Sequence, residues 1–211
     1  MGSTSSRLFG ASADDPAVKG IEDWVARYAE LLDVLELDRV VLVGHSLGGW
    51  LAARFTIEHP GRVRRLVLVS PAMLNVPDHP PANLGAMQPA EIYAALTNDP
   101  SVFAGRIPEP LDDAFVEARM REAQSVGRVV PGPFDPVLDE RLGSVGVPTL
   151  LLWAGDDRIV PVEHAEVWAA RVPGIQSRVF PGRGHLLFHE EPEAVAAVMA
   201  FADDEGGERT R

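Results

Sequence analysis

The sequence predicts an α/β fold, a mostly parallel sheet into which a helical lid is inserted. Three observations lead to it. Continuous apolar runs at 40–43, 65–70 and 147–154 have the character of strands buried on both faces. Helical patterns alternate with them, which is the order of a parallel sheet. Between about 71 and 145, prolines break the chain into short pieces with helical patterns and no convincing strand.

Taken in order, residues 1–20 are polar and rich in Gly, Ser and Asp, so they read as irregular, with a turn at Asp14-Asp15-Pro16. From Ile21 to Glu36 the apolar residues Ile21, Trp24, Val25, Tyr28, Leu31, Leu32 and Leu35 recur at intervals of three and four, the mark of an amphipathic helix. Strand 40–43 runs into a glycine-flanked turn and a helix that Pro60-Gly61 stops near His59. Within the insertion the helical patterns lie near 89–97 and 111–126. After the strand at 147–154 come a helix over roughly 162–171, a short strand at 176–180 and a helix over 192–202. The expected organisation is therefore a first part of the core (1–70), a lid (71–145), a second part of the core (146–202) and a disordered charged tail (203–211). A plainer reading of 71–145 is a connector that only covers the sheet.

Composition narrows the function. The chain has 211 residues and a formal net charge of −12, which argues against nucleic acid and anionic membrane surfaces as partners. It has no cysteine, so a disulfide framework, a thiolate zinc site and a thiol nucleophile are all excluded. No apolar run reaches transmembrane length and the opening Met1 to Ser6 lacks a signal-peptide core, so a cytoplasmic address is expected. Lys19 is the one lysine beside many arginines, a composition associated with GC-rich bacterial genomes.

The chemistry centres on Gly44-His45-Ser46-Leu47-Gly48. Gly-x-Ser-x-Gly between a strand and a helix is the pattern of a nucleophile elbow, in which glycines at 44 and 48 let the helix pack against the strand. The Ser46 hydroxyl then stands at the carboxyl end of a buried strand, and the Leu47 N–H, at the helix N-terminus, is placed to donate to an oxyanion. The plain alternative makes Ser46 only a helix cap. A serine nucleophile needs a base, and a histidine base needs a partner that fixes its tautomer. Candidates follow at the ends of later strands: Asp156 and Asp157 in Gly155-Asp156-Asp157-Arg158-Ile159-Val160-Pro161, then His185 in Pro181-Gly182-Arg183-Gly184-His185, with His189 as its competitor. His45 is expected to point away from the serine as a structural residue, or at most to line a substrate site together with Leu186. His59, His79 and His164 carry no partner motif and are expected at the surface.

These motifs, in the order Ser, acid, His, resemble the lid-bearing α/β-hydrolase superfamily over most of residues 7–202, most weakly in the lid. The resemblance implies Ser46, Asp157 and His185 as the catalytic residues, with Asp157 preferred over Asp156 because it directly precedes Arg-Ile-Val-Pro. It implies hydrolysis of a carboxylic ester or related acyl compound through an acyl-enzyme, with a small-molecule acyl substrate and no cofactor or metal. Carbon–carbon bond hydrolysis is the alternative chemistry. Relatives that open epoxides or remove halides carry an aspartate at the elbow, so those activities are not expected. Apolar lining candidates in the lid are Met73, Leu74, Met87, Tyr93, Phe103 and Phe115.

The resemblance also brings a departure. Members of that superfamily carry about four strands before the elbow strand and a loop that supplies a second oxyanion donor, whereas 39 residues precede Val40 here. Leu8-Phe9-Gly10-Ala11-Ser12 resembles a stretch that normally follows those strands, so only the C-terminal strands of the sheet are expected. Loss of one oxyanion donor typically costs about 10²–10³ in kcat. Strand 40–43 is then expected at an open sheet edge that can pair with a second copy of the chain or a complementing chain. A truncated or non-catalytic fragment that binds a small acyl ligand is the third reading.

Overall fold

The computed structural model describes residue 15 and residues 17–104, 112–130 and 132–204. The stretch at 8–14 and the tail after Asp204 lie outside the described residues. Four strands, β1 (Val40–His45), β2 (Val63–Val69), β3 (Thr149–Ala154) and β4 (Gln176–Phe180), form one parallel sheet in the order β1-β2-β3-β4. Helix α1 (Ile21–Val34) precedes β1, and α2 (Leu47–Glu58) joins β1 to β2. The long connection from β2 to β3 carries α3 (Pro89–Leu96), α4 (Asp113–Val129) and α5 (Pro136–Arg141). Helix α6 (Glu163–Arg171) follows β3, and a single turn, α7 (Leu187–Glu190), leads from the loop after β4 into α8 (Pro192–Asp203).

Strand alternation sorts the core into two faces. Leu66 and Leu68 of β2 and Leu151 and Trp153 of β3 face a large cluster built with α1, α2 and α6. Val67 and Val69, with Leu150, Leu152 and Ala154, face the opposite way onto α8 through Ala194, Val198 and Phe201. This two-sided burial is why β2 and β3 read as unbroken apolar runs. β1 is covered on one side only: Leu42 packs on the larger cluster, whereas Val43 is 44% exposed. An apolar groove lies between α1 and this edge, lined by Tyr28, Leu32, Leu42, Val43 and Phe55.

The connection from β2 to β3 is fastened to the core from beneath. Asp135, 2% exposed, accepts hydrogen bonds from Trp50 Nε1 and Arg54 Nη1, both at 2.6 Å, and its other oxygen caps α5 at the Val137 N–H (2.9 Å). Arg54, equally buried, also reaches Glu58 Oε1 (2.8 Å) and Glu22 Oε1 (3.0 Å). A buried guanidinium of this kind stands only with its acceptors in place, since removal of one partner strands a charge in the core. The Asp135 N–H donates to the Met73 carbonyl at 2.9 Å, so the outgoing and returning ends of the connection meet.

Several residues sit otherwise than their sequence suggests. His164 is fully buried rather than at the surface: it lies on the inner side of α6 beside Trp153, and its Nε2 meets the His79 carbonyl at 2.7 Å. His79 is exposed, and His59 is half-buried with its ring 5.0 Å from that of Phe55. The crowding at the elbow falls on Gly44 and Gly49 rather than on Gly48. A Cβ on Gly44 would lie 2.2 Å from the Gly48 carbonyl oxygen and 2.8 Å from Ala52 Cβ, and one on Gly49 would lie 2.8 Å from Pro71 Cβ, whereas Gly48 has nothing within 4 Å.

That asymmetry is measurable. Gly44→Ala puts a methyl against backbone that cannot rotate away, a form of overpacking that costs about 1–3 kcal/mol or more. Gly48→Ala gains helix propensity of about 1 kcal/mol in the first turn of α2. Urea unfolding should therefore show a clear loss for the first variant and a neutral or raised midpoint for the second; equal losses would refute the packing assignment.

Candidate active site

Three loops meet at the carboxyl ends of the strands. The first is the elbow. Ser46 has φ 55° and ψ −120°, a left-handed conformation that a serine adopts only when its surroundings hold it there. They do so by hydrogen bonds: the Ser46 N–H donates to the Val69 carbonyl (2.9 Å), and its carbonyl accepts from Gly49 (2.9 Å), Trp50 (3.1 Å) and Ala72 (3.1 Å). The side chain is half-buried, at the point where β1 turns into α2, and Leu47 is the first residue of that helix.

The second loop follows β3. Asp157 is 8% exposed; its Oδ1 accepts from the N–H groups of Ile159 and Val160, both at 2.9 Å, and its Oδ2 lies 2.8 Å from His185 Nδ1. Burial by itself would push this carboxyl up, but the hydrogen bond and charge of His185, with the two backbone donors, hold it below the ordinary aspartate value. Asp156 is exposed and turned outward, where it accepts from Asn98 Nδ2 at 3.2 Å. Of the two acids, Asp157 is the one at the histidine.

The third loop follows β4. His185 is 2% exposed, and the Asp157 carboxylate fixes its proton on Nδ1, which leaves Nε2 with a lone pair. His189 is exposed at α7, away from such a partner. The residue beside the serine completes the arrangement: His45 Nε2 donates to the His185 carbonyl at 2.8 Å, and the two rings are 4.7 Å apart. Asp157 and His185 are thus paired, and His45, the residue before Ser46, ties the elbow to the backbone of the histidine loop. Burial, and then the neighbouring His185, push His45 down to about 4, so it is a neutral donor at ordinary pH.

The lining candidates separate. Met73 and Leu74 are buried in the larger core cluster, Met73 with φ 71°. Met87 is half-buried against the same cluster. Tyr93 and Phe103 meet edge to face at 5.1 Å and line a cleft with Thr97, Asn98 and Arg158. Phe115 joins Tyr93, Ile92, Val116 and Met120 along a second, apolar cleft between α3 and α4. Leu186 is half-buried, and its N–H donates to the Leu96 carbonyl at 2.8 Å. Sequence reading missed Thr97 and Asn98, and it gave Arg158 and Glu190 only as parts of motifs; the contacts of all four with the two loops depend on tertiary placement. Among the described residues, no three His, Asp or Glu side chains converge as metal ligands, and no helix is long and apolar enough to cross a membrane.

The chain is similar to known proteins in sequence and fold. The model of the alpha/beta hydrolase family matches residues 4–198. A protein of Mycobacterium tuberculosis is 30% identical over 85% of this chain and 61% of its own length. The 2-hydroxy-6-oxo-2,4-heptadienoate hydrolase of Pseudomonas putida is 32% identical over 82% of this chain and 66% of its own. The chain therefore spans a little under two thirds of these relatives. A thermophilic esterase from Thermogutta terrifontis superimposes with a TM-score of 0.68 at 25% identity, over 92% of this chain and 75% of that one.

His45 yields a test of the site's electrostatics. Its folded value, about 4, lies below the ordinary 6.5, so between those pH values the unfolded chain binds a proton that the folded chain does not. The stability this contributes is complete above about 6.5 and is lost as the pH falls towards 4. His45→Gln keeps an N–H for the His185 carbonyl and removes the titration, so its urea midpoint should decline less steeply than that of the parent protein over this window. Parallel declines would refute the assignment.

Proposed function

The chain belongs to the α/β-hydrolase family, and from that premise we propose that it hydrolyses a carboxylic ester or related acyl compound with Ser46 as nucleophile, His185 as general base and Asp157 as its partner. The observation that carries this reading is the buried Asp157–His185 pair, at 2.8 Å, whose loop is bonded through the His185 carbonyl to His45, the residue before a serine held in a strained elbow. His185 Nε2 takes the Ser46 proton as the Ser46 Oγ attacks the carbonyl carbon. Asp157 stabilises the imidazolium, and the Leu47 N–H donates to the oxyanion. The imidazolium then protonates the leaving group, and the acyl-enzyme is released by a water that His185 deprotonates. No cofactor enters the mechanism. Because Asp157 is held below the ordinary carboxylate range, it stays ionised through mildly acidic pH and does not set the acid limb of activity.

A second reading is favoured by one observation. The Pseudomonas putida relative is named for hydrolysis of a 2-hydroxy-6-oxo dienoate. The same serine, histidine and acid serve that reaction if the substrate first ketonises, losing the proton of its 2-hydroxyl and gaining one at C5; the Ser46 Oγ then bonds to C6, the C5–C6 bond breaks, and the electron pair leaves as an enolate that takes the proton held by His185.

Intact-mass analysis after treatment with a fluorophosphonate tests the machinery. One adduct is expected on the parent protein and none on Ser46→Ala. Asp157→Asn should slow labelling by about 10⁴-fold, the cost of a wrongly held histidine tautomer. A folded parent protein that takes no label would overturn the proposal. Turnover of p-nitrophenyl esters against bleaching of a 2-hydroxy-6-oxo dienoate then separates the two substrate classes.

A further inference from the structure

His185 is held on both sides by the helical connection between β2 and β3. On its amino side, the Gly184 N–H donates to Glu190 Oε2 at 2.9 Å. The other oxygen of the same carboxylate accepts from the Asn98 N–H (2.9 Å) and pairs with Thr97 Oγ1. On its carboxyl side, the Leu186 N–H donates to the Leu96 carbonyl at 2.8 Å. Leu96, Thr97 and Asn98 are consecutive at the end of α3, so one short stretch of the insertion grips the histidine's backbone before and after it.

The same stretch reaches the acid loop. Arg158 Nη2 donates to the Thr97 carbonyl (2.8 Å) and to Asn98 Oδ1 (2.9 Å), and Asn98 Nδ2 reaches Asp156 Oδ2 (3.2 Å) and the Gly182 carbonyl (3.3 Å). The fit leaves no slack. A Cβ on Gly184 would lie 2.8 Å from Asn98 N, 2.8 Å from Thr97 Cα and 2.9 Å from Glu190 Oε1. Thr97 is 4% exposed, so water does not substitute readily for these contacts.

We infer that Glu190 is a positioning residue for His185: its carboxylate bridges the backbone before the histidine to the end of α3, so the placement of the insertion sets the placement of the base. The inference rests on the hydrolase reading above for its kinetic consequences, but the bridge has a signature of its own. Glu190 accepts three hydrogen bonds through two oxygens, two of them from backbone N–H groups on different segments. Glutamine keeps the length and one acceptor but turns an NH₂ group towards a backbone donor, which halves the bridge. Alanine removes it.

The test uses the full chain with Glu190→Ala, Glu190→Gln and Thr97→Val. Thermal unfolding gives the folded fraction, fluorophosphonate labelling over pH 5–9 gives the reactivity of Ser46, and proton NMR follows the His185 Nδ1–H held by Asp157. Expected are a fall of tenfold or more in labelling rate for the alanine variant, a smaller fall for glutamine and for Thr97→Val, a displaced pH profile, and a shifted or lost Nδ1–H resonance in samples that remain folded. Where the alanine variant does not fold, the glutamine variant is read in its place. Labelling within twofold of the parent with an unchanged resonance overturns the inference, as does a loss of labelling that tracks the folded fraction alone. A parent protein that takes no label defeats the hydrolase reading only; the Nδ1–H resonance still decides for or against the bridge.

Discussion

The arrangement depends on how closely α2 lies on β1. At Gly44 the strand backbone passes so near the Gly48 carbonyl that no side chain fits between them, and at Gly49 the helix meets Pro71 in the same way. This closeness forces the chain to reverse within one residue, and Ser46 takes the strain as a positive φ. The hydrogen bonds that hold the serine come from the end of β2, from α2 and from Ala72, so strand, helix and the start of the insertion all fix its position. Strain of this kind persists only where surrounding structure determines it from several sides. The serine's exposure above the sheet is thus a by-product of backbone packing below it.

Electrostatics at the site follow from which groups are dry. Asp157 stays charged in a buried place because it accepts two backbone N–H groups and faces an imidazole, and His45 stays neutral because burial and the adjacent His185 both disfavour its charge. A buried carboxylate and a neutral imidazole donor thus both act on the histidine between them. His45 donates to the backbone of His185 while Asp157 holds its ring, so main chain and side chain of one residue are secured from opposite directions.

Much of this could be read in the sequence, for reasons particular residues make clear. β2 and β3 are apolar throughout because both their faces are covered, and the Gly-x-Ser-x-Gly turn sits where the pattern changes from strand to helix. The family match accords with that reading. Less visible were contacts made across long separations. Asp135 reads locally as the cap of a helix beginning at Pro136, and nothing nearby in sequence tells that Trp50 and Arg54 converge on it. Glu190 belongs to the Glu190-Glu191-Pro192-Glu193 stretch after Gly184-His185 that helps carry the family resemblance, yet nothing nearby in sequence tells that the Asn98 N–H and the Gly184 N–H share its carboxylate. His164 reads as a polar residue in a modest helix, yet it is the inward member of α6. Gly48 attracted attention by its place in the motif, whereas the crowding belongs to its neighbour Gly49. Periodicity reports which face of an element is dry; it carries no information on which distant groups share that dryness.

Strand order has a consequence for how the molecule acquires its chemistry. The sheet is laid down in chain order, β1 to β4, each strand docking beside the last. During synthesis the βαβ unit of β1, α2 and β2 can close first, since its contacts are local, and the elbow is complete once Ala72 has emerged. The histidine arrives last, more than a hundred residues later, on the loop beyond the outermost strand. A partly folded chain can therefore hold a shaped serine turn before His185 has reached Asp157. The pairing of His185 with Asp157 is made only once β4 has docked beside β3, which makes that one hydrogen bond a reporter of finished topology.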